Sequence, residues 1–501
     1  MNETVHPRRR KKASAVASVE SRLQKSQVDT GGKRSNGDAY ASFLDRKGVI
    51  SELTGIKNAE VKSEGLLPFA RACCQWALRR GRAALFEGTG LTKTVQQCEW
   101  ARRVEDYTGK PVLILAPLAV SHQTIAEAKN RLGMEIMFAE NNTIIGERGV
   151  YITNYAKLDR FDASKFSGVA FDESSIVKSV DGKTKQKLFD SFGRTPFRLA
   201  CTATPAPNDY MELGNHSELL GIMKASEMLS TFFVHDGGET QKWRLKGHAE
   251  NDFWKWLSSW AICIQHPRDI GFEQEGYDLP PLRMHEHIVD THAKPLPGEL
   301  FALPARTLQE RRGVRRDTIV ERTEALRSII ETDPEDAWLA WCNLNGESEA
   351  IAKAAKMVNV TGSDEDEIKE KRILEFIKGE QKRLASKSVI CGYGMNMQIC
   401  HRVGFLGLSD SWEQLYQAIR RCWRFGQKHP VDVHIVISFL EGAVLQNIKR
   451  KEADAQRMQK ALVEQMADFT KQEINGAERK RAPYKPTKKM EIPRWLTTEA
   501  A

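Results

Sequence analysis

Short apolar runs alternate with amphipathic stretches in two separate parts of this 501-residue chain. In the first part, residues 66–221, a helical pattern at residues 94–107 separates two of the runs. The runs predicted as buried strands are residues 83–86, 112–116, 150–153, 169–171 and 198–203. Such alternation is typical of βαβ units arranged around a mostly parallel sheet.

The same alternation returns after residue 330. Helical patterns at residues 364–379 and 412–423 separate a second set of apolar runs. The runs predicted as strands here are residues 338–344, 357–360, 388–391, 403–408 and 431–437. The predicted fold class is therefore α/β, with two lobes, each a mostly parallel sheet flanked by helices, and a cleft between them.

Composition and charge distinguish the other parts of the chain. Residues 222–330 hold four tryptophans and then a charged helical run, which predicts a mainly helical insertion between the lobes. The predicted divisions are a basic tail at 1–39, a first lobe at 40–221, the insertion at 222–330, a second lobe at 331–442, and a last division at 443–501. This last division holds a C-terminal helix (445–466) and then a basic tail.

Composition also excludes several classes of protein. With 41% hydrophobic residues, the chain can bury a large core. It has no run of about 18 apolar residues, and its charged N-terminus lacks the apolar core of a secretory signal, so an intracellular, cytoplasmic protein without membrane partners is expected. The nine cysteines include no C-x-x-C pair, which predicts reduced, mostly buried thiols rather than disulfides or structural zinc.

The net charge of +9 is concentrated at the two ends of the chain. Residues 1–37 carry a net charge of +6 and residues 469–501 a net charge of +4, which leaves the body near −1. Basic ends on a neutral body predict flexible contact with a polyanion, and nucleic acid is the commonest such partner inside cells. Tails that serve only solubility would have the same composition.

A glycine-containing turn follows the first predicted strand. This glycine loop, residues 87–94, has the sequence EGTGLTKT and leads into a helix. Such a loop can wrap backbone N–H groups around phosphates, with Lys93 supplying a positive charge and Thr94 a magnesium ligand. The strict pattern GxxxxGK[ST] is not met, because Glu87 and Thr92 stand at its glycine positions. A turn of this composition also occurs as a purely structural connection.

Two carboxylates, Asp172 and Glu173, directly follow the predicted strand 169–171. They are therefore expected at the carboxyl edge of a parallel sheet, where ligands bind in open α/β folds. One carboxylate can hold Mg²⁺ and the other can orient or deprotonate an attacking water. The alternative is a pair that only caps a loop.

The arginine segment, residues 417–427, lies in the second predicted lobe. On a helix, Gln417, Arg421 and Arg424 share one face and can present guanidinium groups to a phosphate across a cleft. A solvated basic helix end is the alternative. Together with the glycine loop and the carboxylates, these residues match the components of a two-lobe nucleoside triphosphatase, in which the arginines complete the site when the lobes close.

The order of these motifs resembles that of superfamily 2 helicase-type ATPases, in particular the Swi/Snf-like DNA-translocase branch and its compact bacteriophage versions. The resemblance extends from about residue 66 to residue 438, with motif I at residues 88–94, motif II at 172–175 and motif VI at 417–427. The remaining matches are motif Ia at 115–118, Ib at 153–155, III at 202–205 with Asn208, IV at 341–343 and V at 392–396.

This resemblance implies two RecA-like lobes and a role for each motif residue. Lys93 is implied to bind the β- and γ-phosphates, Thr94 and Asp172 to hold Mg²⁺, and Glu173 to activate water. The implied ATP-binding residues are Gly88, Thr89, Gly90, Leu91, Thr92, Lys93 and Thr94, and the implied catalytic residues of the second lobe are Gln417, Arg421 and Arg424. Residues implied to bind DNA or to couple it to ATP are Pro117, Asn154, Tyr155, Thr202, Thr204, Asn208, Asn343, Gly394 and Asn396.

Two positions depart from the family pattern. Thr92 stands where the family has the glycine that precedes the lysine, and it adds a β-carbon where the backbone approaches phosphate. This predicts weaker nucleotide binding or a shifted loop. Ala70 lies where these proteins usually have a glutamine that reads adenine, and it cannot make that hydrogen bond. Selectivity for adenine therefore stays open.

The function implied by the resemblance is an ATP-dependent DNA helicase or translocase that uses ATP and Mg²⁺ and contacts duplex or branched DNA mainly through the backbone. The alternative is a nucleotide-gated DNA-binding module with impaired hydrolysis, because Thr92 distorts the loop. A nucleic-acid scaffold without nucleotide function is a third hypothesis. The sequence does not determine the oligomeric state.

Overall fold

Seven strands form the first β-sheet of this computed structural model, in the order β3-β4-β2-β5-β6-β1-β9, and all neighbouring strands run parallel. These strands are β1 (Arg82–Glu87), β2 (Val112–Ala116), β3 (Met137–Phe138), β4 (Val150–Asn154), β5 (Gly168–Asp172), β6 (Phe197–Thr202) and β9 (Ala261–Ile264). The structure describes residues 51–117, 120–178, 182–206, 209–235, 243–290, 308–391 and 396–475.

Helices cover both faces of the first sheet. They are α1 (Pro68–Arg80), α2 (Lys93–Thr108), α3 (Ser121–Leu132), α4 (Lys183–Phe192), α5 (Glu212–Leu220), α6 (Ala225–Phe232) and α7 (Glu250–Ser258). Along β2, Ile114 packs into one hydrophobic core, whereas Leu113 and Leu115 pack into another. Because successive side chains of a strand point to opposite faces, burial on both sides requires the uninterrupted apolar run seen in the sequence.

The second sheet has six strands in the order β10-β15-β14-β11-β13-β12, again with parallel neighbours. Its strands are β10 (Leu282–Val289), β11 (Trp338–Cys342), β12 (Val358–Val360), β13 (Arg383–Lys387), β14 (Arg402–Leu406) and β15 (Val431–Ser438). Its helices are α8 (Leu308–Asp317), α9 (Ile319–Ile330), α10 (Asn345–Ala354), α11 (Asp366–Ile377), α12 (Ser388–Cys391) and α13 (Trp412–Ile419). The predicted α/β fold class with two lobes, each a mostly parallel sheet flanked by helices, is confirmed.

One strand prediction in the second lobe is wrong. Residues 388–391 form the short helix α12, and Val389 on it is 55% exposed. The strand lies just before it, as β13, which pairs with β11 and β12. Its three inner residues, 384–386, are buried, but arginine and lysine at its ends interrupt the apolar pattern. The apolar residues at 388–391 therefore gave a stronger sequence signal for a strand than β13 itself.

Residues 222–330 contribute to both lobes. Within them, β9 extends the first sheet beside β1, and β10 extends the second sheet beside β15. The same stretch holds a two-stranded antiparallel hairpin, β7 (Phe233–His235) with β8 (Trp243–Leu245). The boundaries predicted at 222 and 330 therefore do not delimit a separate body, because both sheets take an edge strand from between them.

The C-terminal helix α14 (Gly442–Ile474) is longer than the predicted helix and contacts both lobes. Near its start, Val444 and Ile448 belong to a core of the second lobe. Near its end, Glu473 accepts a 3.1 Å hydrogen bond from the indole nitrogen of Trp76 and forms a buried ion pair with Arg80, both on α1. One continuous helix thus links the two α/β lobes.

The described part of the chain contains no helix that is both long and apolar enough to cross a membrane. The eight cysteines whose side chains the structure describes are buried and form no disulfide, as predicted from their spacing.

Candidate active site

The glycine loop connects β1 to α2 at the carboxyl edge of the first sheet. Lys93 is the first residue of α2, and its Nζ donates hydrogen bonds to the carbonyl oxygens of Glu87 (2.7 Å) and Gly88 (2.9 Å). The first N–H groups of a helix have no partner within the helix, so they form a site for anions. The loop therefore presents an ammonium group and a helix N-terminus to the same space.

Thr92 adopts the left-handed backbone conformation that the family glycine would allow. Its φ and ψ are 60° and 27°. For a residue with a β-carbon this conformation costs about 1–2 kcal/mol, and a β-branched side chain makes it rarer still. The backbone at Thr92 therefore has the shape expected for a glycine at this position. The β-carbon of Thr92 makes this conformation strained.

Asp172 ends β5, and Glu173 follows it with a positive φ of 50°. Burial and then the adjacent charge of Glu173 raise the pKa of the Asp172 carboxyl to about 7, while Lys93 acts in the opposite direction. Burial in turn lowers the pKa of Lys93, and Glu173 is the strongest of the charges that oppose this. Two crowded carboxylates beside one buried lysine form a site that a divalent cation would stabilise.

Glu87 is the last residue of β1 and the first of the glycine loop. Its carboxyl group is fully buried and accepts a 2.7 Å hydrogen bond from the Gln96 side chain on α2. Burial raises the pKa of Glu87 to about 7, against the effects of Lys93 and of that hydrogen bond. Glu87 is thus a second carboxyl group that titrates near neutral pH next to the lysine.

The arginine segment is not helical where it was predicted to be. Helix α13 ends at Ile419, and Arg421 and Arg424 lie in the turns that follow. The carbonyl oxygens of Arg421 and Cys422 are occupied by the Met397 N–H (2.9 Å) and the Gln427 amide (3.2 Å). These bonds hold the turns after Ile419 in a non-helical conformation. The shared helix face predicted for Gln417, Arg421 and Arg424 is therefore wrong.

Gln427 anchors the end of the arginine segment. Besides Cys422, its side-chain nitrogen donates to the carbonyls of Gln398 (2.9 Å) and Cys400 (3.0 Å), and its oxygen accepts from two backbone N–H groups. With five such bonds, one buried amide fixes this turn against residues 396–400 of the second lobe.

A cavity of about 450 Å³ lies between the two lobes. We call it the interlobe cavity. Lys93, Asp172 and Glu173 line it from the first lobe, and Arg421 and Arg424 line it from the second. Burial, followed by the nearby charge of Arg421, lowers the pKa of Arg424 to about 10, so the Arg424 guanidinium stays charged at neutral pH. Crowded cations at one end of a buried cavity favour a polyanionic ligand.

The predicted ATP-binding residues divide into two groups. Those that line the interlobe cavity are Thr89, Gly90, Thr92, Lys93 and Thr94. Gly88 and Leu91 do not line it: the Gly88 N–H bonds the Ile264 carbonyl on β9 at 2.8 Å, and the Leu91 side chain is buried in the first core. Gly88 and Leu91 therefore shape the loop. Gln417 is likewise absent from the cavity lining, which contradicts its predicted place beside the arginines.

Thr202 and Thr204 connect the carboxylates to the second lobe. The Thr202 hydroxyl donates to Glu173 at 3.2 Å and accepts from the Thr204 N–H at 3.2 Å. The Thr204 hydroxyl donates to Glu413 on α13 at 3.2 Å. Of the two roles predicted for these residues, DNA binding or coupling, the contacts favour coupling.

Asn154 and Tyr155 also make intramolecular contacts. Asn154 is 4% exposed, and its side-chain oxygen accepts from the Ala156 N–H at 3.0 Å; its role in DNA binding or coupling stays a prediction. The Tyr155 hydroxyl donates to the Asp172 carbonyl at 2.6 Å, which fits a coupling role. Pro117 lies directly after β2, and its carbonyl accepts from the Val120 N–H at 3.0 Å; its DNA contact stays a prediction.

The remaining predicted DNA residues lie in the second lobe or outside the described residues. Asn343 follows β11, and its amide oxygen, when oriented as an acceptor, meets the Arg315 guanidinium at 3.0 Å. Asn396 lines the interlobe cavity and also a neighbouring pocket that includes Lys428 and His429, and its role in DNA binding or coupling stays a prediction. Asn208 and Gly394 lie outside the described residues.

Several cavity residues were missed by the sequence analysis. From α3 and the turn before α1, the lining includes Leu67, Gln123, Glu127, Asn130 and Arg131; from the second lobe it includes Gln398 and Phe425. The spacing of four between Gln123 and Glu127 on a helix was a signal that they share a face, and their side chains are hydrogen-bonded at 2.7 Å. Ala70 is fully buried in the first core and does not line the cavity.

Comparison with known proteins finds similarity of structure but no match by sequence. The sequence matches no protein-family model and no curated protein. The fold is similar to the SWI2/SNF2 ATPase core of Sulfolobus solfataricus, solved in complex with double-stranded DNA, at 16% sequence identity and a TM-score of 0.39. This similarity covers 84% of the present chain and 98% of the other.

Proposed function

We propose that this protein is an ATP-dependent DNA translocase or helicase that hydrolyses Mg-ATP in the interlobe cavity. The observation that carries the proposal is the composition of that cavity, in which Lys93, Asp172 and Glu173 of one lobe face Arg421 and Arg424 of the other. A lysine at a helix start, paired carboxylates and arginines across a cleft are the groups that phosphoryl transfer requires.

Each group has a distinct role in this proposal. Lys93 leaves its two carbonyl partners and binds the β- and γ-phosphates, together with the N–H groups at the start of α2. Glu173, which the Thr202 hydroxyl holds in orientation, accepts a proton from the attacking water. Arg421 and Arg424 stabilise the negative charge that develops on the γ-phosphoryl oxygens.

The residues also fit a magnesium ion. Thr94 and Asp172 line the same cavity, and burial together with the adjacent charge of Glu173 raises the pKa of Asp172 to about 7, so a bound cation would stabilise its ionised form. One carboxylate, from Asp172, and the Thr94 hydroxyl suit Mg²⁺, which takes most of its ligands from water and substrate phosphate. When bound there, Mg²⁺ would neutralise charge on the phosphates.

DNA is the proposed partner for two reasons. The motif order resembles that of DNA-dependent ATPases, and the two ends of the chain carry net charges of +6 and +4. Contacts to phosphates alone, from backbone and neutral polar groups as well as basic ones, suffice for movement along a duplex. The Glu173–Thr202–Thr204–Glu413 contacts offer a route by which the second lobe senses the nucleotide.

The deciding experiment is ATP turnover by the purified chain without nucleic acid and with single-stranded, duplex and forked DNA in parallel. We expect turnover that DNA stimulates and that Lys93→Ala and Glu173→Gln abolish. Equal turnover in the wild type and both variants would refute the proposed hydrolytic site. A response to forked but not to plain duplex DNA would favour unwinding over translocation.

The alternative, a nucleotide-gated DNA-binding module, is favoured by one specific observation, the strained Thr92. Under this hypothesis the wild type binds ATP but hydrolyses it slowly, and Thr92→Gly increases turnover strongly. Rapid wild-type turnover that glycine leaves unchanged would exclude it.

A further inference from the structure

Arg420 joins the two lobes directly at the glycine loop. Its Nη2 donates a 2.6 Å hydrogen bond to the carbonyl oxygen of Thr89, and Thr89 lines the interlobe cavity. The two residues are 331 positions apart in the chain. Arg420 immediately precedes Arg421, so this bond ties the start of the proposed catalytic turn to the loop that is proposed to hold the phosphates.

The Arg420 side chain is fixed before it reaches Thr89. The residue is 8% exposed, and its guanidinium carbon lies 4.9 Å from the ring centre of Trp423 and 5.8 Å from that of Tyr416. The Trp423 indole is itself held by a 2.7 Å hydrogen bond to the Pro280 carbonyl. A planar guanidinium between two aromatic rings loses little further freedom when it donates a hydrogen bond.

A second contact lies beside the first. A β-carbon on Gly90 would come within 3.3 Å of the Phe425 backbone nitrogen, so the loop and the arginine segment approach as closely as a glycine allows. The Phe425 ring packs against Tyr277 of the first core, with ring centres 4.7 Å apart. Arg420 and Phe425 therefore both contact the glycine loop. In the chain they lie directly before and directly after the turn that carries Arg421 and Arg424.

We propose that Arg420 is a positioning residue that docks the arginine segment on the glycine loop and thereby sets the placement of Arg421 and Arg424 relative to the bound phosphates. The Arg420 guanidinium donates to a protein carbonyl oxygen, and Arg420 does not line the interlobe cavity. Arg420 thus acts through its neighbours, and any change in the shape of the loop on nucleotide binding is passed to both catalytic arginines.

This proposal rests on the proposed function, because it assumes that triphosphate is hydrolysed in the interlobe cavity. It makes a specific kinetic claim. Loss of the Arg420 bond displaces groups that act in the transition state but removes no group that holds the ground-state phosphates. We therefore expect kcat to fall while the affinity for nucleotide is kept.

The test compares Arg420→Gln and Arg420→Lys with Arg327→Gln, a matched control at an arginine of α9 that pairs with Glu324 and Glu331. We expect Arg420→Gln to lower kcat roughly 10- to 100-fold, the range that a displacement of about 1 Å produces. Affinity for a non-hydrolysable ATP analogue should change less than about threefold, since no phosphate contact is lost. Lysine keeps the charge but not the planar stacking, so the kcat of Arg420→Lys should lie between that of the wild type and that of Arg420→Gln.

A second measurement does not depend on hydrolysis. Amide hydrogen exchange of residues 88–92 in the free protein should be roughly five- to tenfold faster in Arg420→Gln, as expected for the loss of one hydrogen bond, and unchanged in Arg327→Gln. If the wild type hydrolyses no triphosphate, the proposed function fails, and exchange alone then decides whether Arg420 docks the segment. Unchanged exchange in Arg420→Gln, or wild-type kcat in that variant, would overturn the positioning role.

Discussion

The hydroxyl of Thr202 lies 3.2 Å from the Glu173 carboxylate and donates to it, at the meeting point of two neighbouring strands of the first sheet. The same hydroxyl accepts from the Thr204 N–H, and Thr204 contacts Glu413 of the second lobe. The proposed general base is therefore oriented by a threonine that lies on the path to the other lobe.

Removal of this hydroxyl should weaken both orientation and coupling. Thr202→Val keeps the shape of the side chain but leaves Glu173 without this donor, and we expect DNA-stimulated turnover to fall roughly tenfold, on the order of one charge-assisted hydrogen bond. Steady-state ATPase assays with and without DNA would measure it. Thr202→Ser restores the hydroxyl and is the control; a valine variant with wild-type stimulation would contradict the coupling role.

A second prediction separates the two parts of the arginine segment. Arg424 lines the interlobe cavity and Gln417 does not. We expect Arg424→Gln to lower kcat by about 10³-fold or more, as for arginines that act on the transferred phosphoryl group. Gln417→Ala should cost far less in the same assay. Equal losses would mean that Gln417 reaches the phosphates in a more closed arrangement of the lobes.

The strain at Thr92 predicts a gain from a single substitution. Because its φ is 60°, Thr92→Gly should stabilise the folded protein by roughly 1 kcal/mol, after allowance for the greater freedom of glycine in the unfolded chain. Chemical denaturation would measure the gain. Thr92→Ala is the control, since it removes the branched side chain but keeps the β-carbon and most of the strain. A glycine variant no more stable than the alanine variant would show that the loop relaxes around Thr92.

Glu87 predicts a dependence of stability on pH. Its folded-state pKa of about 7 lies above its usual value of 4.5, so the folded protein binds more protons than the unfolded chain between these values. The stabilisation from a neutral Glu87 is therefore complete below pH 4.5 and is lost as the pH rises through 7, by roughly 3 kcal/mol in all.

Comparison with Glu87→Gln isolates this effect from other titrating groups. From pH 4.5 to pH 8, the free energy of unfolding of the wild type should fall relative to that of Glu87→Gln. Glu349→Gln, at an exposed glutamate, provides the control. If the difference for Glu87→Gln stays constant over this range, the carboxyl group is not held neutral by its burial.

The buried ion pair between Arg80 and Glu473 predicts that helix α14 stabilises the first lobe. Glu473→Gln leaves the Arg80 guanidinium with a neutral partner in a buried position, and a loss of roughly 3 kcal/mol in the free energy of unfolding is expected. Thermal or chemical denaturation would measure the loss. Glu464→Gln, at an exposed ion pair with Lys460 on the same helix, should change stability by less than about 0.5 kcal/mol. Equal effects of the two substitutions would mean that α14 is not anchored at Glu473.

Recognition of the strands from sequence depended on how each was buried. Strands β2, β4, β5 and β6 lie inside the first sheet and were found within one or two residues, because both of their faces require apolar side chains. The edge strands β3, β9 and β10 were missed, although β9 is buried throughout, and the edge strand β12 was found. An edge strand such as β10 alternates partly buried and exposed residues, so its pattern is weaker than that of an amphipathic helix nearby.

The amino-acid sequence by itself determined the two parallel sheets and the local placement of Lys93, Asp172 and Glu173, since a ligand loop after a buried strand needs only its own segment to form. Tertiary structure decided what faces these residues. Hydrogen bonds from Met397 and Gln427 hold the turns after α13 in a non-helical conformation, and the docking of Arg420 on Thr89 turns the arginines toward the lysine. The contact between Arg420 and Thr89 joins residues 331 positions apart, and no local pattern of polarity or spacing encodes the direction in which those side chains point.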